Sequence, residues 1–123
     1  MKAALVNSQV FVRRLWLPVT LLILAAITFL SLTPIPELPD VPGNDKAHHL
    51  ISYGLLMVPA FLVGYAKRVQ LMFVFFLWSG AIELVQPYVN RFGEWADLTA
   101  NGMGLLIGAF VGMILSRCLM SSE

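Results

Sequence analysis

Four stretches of this chain are apolar almost without interruption, and its polar residues collect in the joints between them. The apolar runs fall at about 15–32, 48–66, 69–87 and 96–119. Each is close to the ~20 residues that a helix needs to cross the hydrocarbon of a bilayer. Open strands of that length would leave N–H and C=O groups unpaired in lipid, so helices are the only reading for such runs. The pattern predicts an all-α, polytopic membrane protein built as a four-helix transmembrane bundle. The first run follows Arg13 and Arg14 as a secretory signal would, but it continues into SLTPIPELP without a small-residue cleavage site. It is therefore read as a retained anchor.

Composition agrees with the pattern. Of 123 residues, 59% are hydrophobic and 12% charged, against roughly half and a quarter in soluble domains. The length allows one compact bundle and no separate soluble domain. The formal net charge is only +1, which gives no reason to expect a nucleic-acid partner. Cys118 is the single cysteine, and no Cys/His spacing resembles a zinc site, so neither a metal nor a cofactor is expected.

Charge is distributed unevenly along the chain. Lys2, Arg13, Arg14, Lys67, Arg68 and Arg117 fall on one side of the predicted bundle, and Lys46 and Arg91 on the other. By the positive-inside rule both termini and the Lys67–Arg68 turn are cytoplasmic, placing the chain in the cell (inner, cytoplasmic) membrane as a multi-pass protein. Glu37, Asp40, Asp45, Glu83, Glu94 and Asp97 lie outside or near the outer ends. Trp16 and Trp95 then sit at opposite interfaces, where aromatic belts belong.

The connection TPIPELPDVPGND is proline-rich and should be extended and stiff. Its end, Pro42-Gly43-Asn44-Asp45, reads as a turn and a helix N-cap. Residues four apart share a helix face, so Asp45, His49 and Tyr53 form one stripe. Ser79, Glu83 and Gln86 group near the end of the third run, and Asp97, Asn101, Gly104 and Gly108 along the fourth. An ionisable group facing hydrocarbon costs about 2.5–3.5 kcal/mol even on the lenient insertion scale. The three stripes should therefore face each other. Glu83, about one turn below the outer end of its run, must be paired, hydrogen-bonded or protonated, and Arg91 and His49 are its natural partners. Gly104, Gly108 and Gly112 recur every four residues, a small-xxx-small pattern for close helix approach. Packing within the chain is the simpler use of that face; homo-oligomer formation is the other.

These residues resemble a known family. The run DKAHHLISYGLL is similar to the opening motif of the VanZ-like membrane proteins, which falls here on Asp45, Lys46, His49, Tyr53 and Leu55. ELVQPYVNRFGEWADLTANGMGLLIG resembles their second motif, on Glu83, Gln86, Arg91, Asp97, Asn101, Gly104 and Gly108. Relatives often place proline and a small residue just before the arginine, whereas this chain has Val89-Asn90-Arg91 and a proline at 87. His48 lies beside the motif histidine and is assigned no role. The resemblance implies one VanZ-like transmembrane domain over residues 1–123. It also implies a link to glycopeptide (teicoplanin-type) susceptibility.

Three functions compete at this stage. The favoured one is a binding factor whose outward-facing polar pocket takes an anionic cell-envelope lipid or a lipid-linked cell-wall precursor. Its ligand-binding residues would be Asp45, Lys46, His49, Tyr53, Glu83, Gln86, Arg91, Asp97 and Asn101. Lys46, Arg91 and His49 would meet the anion, since arginine suits phosphate and carboxylate. Behind it stands an enzyme acting on a lipid-linked phosphate or headgroup, with His49, Glu83 and Asp97 as catalytic candidates, or with carboxylates holding a hard divalent cation. No nucleophile motif or phosphate loop accompanies them. A purely structural bundle is the third reading.

Overall fold

The computed structural model describes residues 1, 3–4, 10–11, 13–34, 45–62, 65–89, 91 and 93–120. The regular structure among the described residues is helical throughout. It comprises α1 (Trp16–Leu32), α2 (Asp45–Met57), α3 (Tyr65–Val85) and α4 (Trp95–Met120). The proline-rich connection and the turn expected at Pro42-Gly43-Asn44 lie outside the described residues.

Prolines set where these helices change character. Pro18 sits in the first turn of α1, where a missing N–H costs nothing. Pro59 cannot donate to the carbonyl four residues back, and its ring crowds that carbonyl. Accordingly α2 ends at Met57 and the chain tightens into the 3-10 turn Val58–Leu62. The run expected as one span over 48–66 is thus a shorter α-helix with a 3-10 extension. Pro87 does the same at the far end of α3, which closes through the 3-10 turn Gln86–Val89.

The largest interface joins α2 to α4. A Cβ added to Gly104 would strike the Leu50 carbonyl, and one added to Gly108 would strike the Gly54 carbonyl. Because both positions advance together, the two helices run parallel with their backbones in contact. Parallel order also holds for α1 and α3. Lys67 lies 4.9 Å over the Trp16 ring near their starts, Trp78 donates to Thr28 Oγ1 at 2.9 Å midway, and Gln86 donates to the Ser31 carbonyl at 3.1 Å near their ends. The helices therefore alternate in direction. The ends of α1 and α3 share one pole with the starts of α2 and α4.

Tyr53, Leu56, Met57, Ala60, Phe75, Leu105 and Ile27 form the buried core. Outside it the surface stays apolar, with Phe73, Leu77, Leu84, Leu106 and Phe110 exposed. Among the described residues, two helices are long and apolar enough to cross a membrane, over Lys67–Val89 and Trp95–Cys118, and α1 is a shorter apolar helix.

Candidate functional site

The polar residues of three helices meet at the shared pole. His49 is carried by the second turn of α2, Asp97 and Asn101 by the first two turns of α4, and Ser79 by the last third of α3. All four are buried. His49 Nδ1 donates to Asn101 Oδ1 at 2.8 Å, and Asn101 Nδ2 donates to Ser79 Oγ at 2.6 Å. This chain links α2, α4 and α3 through one hydrogen-bonded line. Because an amide oxygen only accepts, a proton sits on Nδ1, and in the neutral ring Nε2 then offers its lone pair. That nitrogen lies 3.7 Å from Asp45 Oδ2 and 3.7 Å from Asp97 Oδ2, outside hydrogen-bond distance of either.

Around this buried line stands a more open rim. Lys46 donates to Asp97 Oδ1 and, at 2.6 Å, to Glu94 Oε2, and it lies 3.9 Å from Asp45. Hydrogen bonds to Asp97 and then to Glu94 push the lysine well above its ordinary range, so it stays protonated. The Asp45 and Glu94 side chains are more than half exposed, whereas that of Asp97 is 4% exposed. The cluster is thus open at Asp45, Lys46 and Glu94 and closed at Asp97 and His49.

Glu83, Gln86 and Arg91 do other work. One Glu83 oxygen accepts the Glu94 N–H at 3.1 Å just before α4 begins, where a negative charge also suits the helix dipole. Its other oxygen, like the Gln86 side-chain oxygen, is buried without a hydrogen-bond partner among the described residues. Arg91 Nη1 donates to the carbonyls of Leu30 and Thr33 at 3.3 and 3.1 Å. Those carbonyls close α1, whose last turn contains no basic residue. Arg91 and Gln86 therefore hold the end of α1 from the far side of the chain.

The geometry brings together Asp45, Lys46, His49, Asp97 and Asn101, with buried Tyr53 one turn deeper on α2. It places Arg91 against α1 and Gly104 and Gly108 against α2. Gly112 is buried farther along α4. Three participants were absent from the sequence-based site. Ser79 was visible through its four-residue spacing from Glu83. Glu94 carried only the signal of an acid before a helix, and Gly54 has meaning only once α4 is set beside it. Compared with known proteins, the chain matches no family model, no curated protein and no solved structure.

Proposed function

We propose that the chain is a four-span protein of the cytoplasmic membrane, related to the VanZ-like proteins. In this reading both termini are cytoplasmic, and the polar pole binds the phosphate-bearing headgroup of an envelope lipid at the outer leaflet. The observation that carries it is the buried line His49–Asn101–Ser79 with Asp97, opening through the exposed rim of Asp45, Lys46 and Glu94. Interhelical hydrogen bonds in membranes contribute about 0.6 kcal/mol on average. A bundle needing only cohesion gains little from burying so many polar groups, and loses more where the Glu83 and Gln86 oxygens have no partner among the described residues. Three features support the membrane setting. The two long helices have only 22% and 28% of their most apolar windows buried, where the core helix of a soluble domain would be mostly covered. Lys67 and Trp16 meet at one pole, as interfacial anchors do. The acidic rim occupies the opposite pole.

Lys46 is the cation at the rim, and its loss tests the reading. Lipid extracted with the purified full chain is quantified by mass spectrometry for wild type and Lys46→Gln. Wild type should retain an anionic lipid, and the variant roughly tenfold less, the loss of one charge-assisted contact. Equal retention by the two proteins would reject headgroup binding at this rim.

A further inference from the structure

We infer that the mouth of this site binds a divalent cation, with Asp45 Oδ2, His49 Nε2 and Asp97 Oδ2 as its protein ligands. The three ligand atoms lie within 4.8 Å of one another. An ion about 2.1 Å from each ligand spans any pair up to about 4.2 Å apart. Both histidine pairs, at 3.7 Å, meet that limit as they stand. Asp45, on the exposed first turn of α2, closes any remainder by rotating its carboxylate.

The surroundings prepare these groups for a cation. His49 is 9% exposed, and in the neutral ring its bond to Asn101 leaves the Nε2 lone pair between two carboxylates, 3.7 Å from each. A ligating histidine is characteristically oriented this way, through a hydrogen bond from its other nitrogen. Lys46 holds Asp97 by Oδ1 and leaves Oδ2 toward His49. Three electron-pair donors in such proximity repel unless positive charge stands among them. One ammonium already stands beside them, hydrogen-bonded to Asp97 Oδ1 and Glu94 and 3.9 Å from Asp45 Oδ2. Three carboxylates, Asp45, Glu94 and Asp97, surround that one ammonium, and the two negative charges left over equal the charge of a divalent ion. One imidazole and two carboxylates favour a first-row ion such as Zn²⁺ or Mn²⁺ over Mg²⁺ or Ca²⁺, which take oxygen ligands. The exposed side of Asp45 leaves room for water or a ligand oxygen to complete the coordination. This cation site stands on the cluster alone. Where the headgroup reading also holds, the ion adds its positive charge to that of Lys46.

The test uses full-length protein, freed of lipid in non-ionic detergent and titrated calorimetrically with Zn²⁺ and with Mn²⁺. Wild type should bind one equivalent of at least one of these ions. Asp45→Asn, at an exposed position where folding should survive, should weaken binding by at least the roughly 10–100-fold that loss of even a supporting contact costs. His49→Gln should do the same; if it fails to fold, Asp45→Asn decides alone. No saturable binding by wild type, or equal binding by folded Asp45→Asn, overturns the inference. Saturable binding that is lost in Asp45→Asn supports it even where Lys46→Gln retains lipid normally, an outcome that rejects only the headgroup reading.

Discussion

The Arg91 guanidinium donates to the Leu30 and Thr33 carbonyls, and those carbonyls are the unsatisfied end of α1. A helix whose own last turn lacks a cation gains from one supplied elsewhere, and Arg91 serves both acceptors through one nitrogen, Nη1, held in the plane of a rigid guanidinium. Its sequence position, between two apolar runs and close to acids, suggested an anion-binding role equally well. The two roles separate experimentally. Arg91→Ala should lower the stability of the bundle by about 1–2 kcal/mol, the order expected for charge-assisted bonds at a half-exposed helix end. Arg91→Lys should recover only part of it. Thermal unfolding in detergent reads both variants. A wild-type melting curve for Arg91→Ala, with lipid lost, would instead assign the arginine to the ligand.

Among the helices, the α2–α4 contact has the least tolerance for change. The Cβ of Gly108→Ala would meet a backbone carbonyl and, at 2.9 Å, the Met57 Cβ, and neither yields without moving a helix. Gly80 on α3 has nothing within 4 Å of its added Cβ. Gly108→Ala should therefore cost about 1–3 kcal/mol through overpacking, and Gly108→Leu should leave little folded protein. Gly80→Ala should be neutral or gain up to about 1 kcal/mol from restricting the unfolded chain. Melting curves and yield of monodisperse protein distinguish them. Equal losses at both positions would show that backbone approach is not what limits this interface. The helices themselves were legible in the sequence because an uninterrupted apolar run of this length has few alternatives to a helix. The break at Val58–Leu62 was less so, since a proline inside an apolar run can kink a helix or end it. The spacing turned the Asp97–Gly108 face of α4 toward the other polar stripes, but which helix its glycines meet was not legible. A glycine stripe advertises close approach without naming the partner.

For the molecule as a whole, the polar stripes were readable because four-residue spacing puts Asp45 below His49 and Asp97 below Asn101, and burial in an apolar bundle leaves such groups only each other. Their exact pairing was not readable. Lys46 reaches residues 48 and 51 positions away, and the α1 end that Arg91 caps has no charged side chain to announce it. The same pairing gives the bundle two unlike poles. One carries the acidic rim; at the other Lys67 covers Trp16 and Arg68 donates to the Ala60 carbonyl at 2.9 Å. Basic residues near a membrane favour the cytoplasmic side, so this asymmetry commits the proposed topology to one direction. In a Cys118→Ser background, Tyr88→Cys, at an 88% exposed position beside the acidic pole, should react in intact cells with a membrane-impermeant maleimide. Lys67→Cys, at the basic pole, should react only after the cells are opened. The reverse pattern would turn the acidic rim toward the cytoplasm and remove the outer leaflet as its source of ligand. Labelling of both positions in intact cells would mean that the two poles do not lie on opposite sides of a membrane.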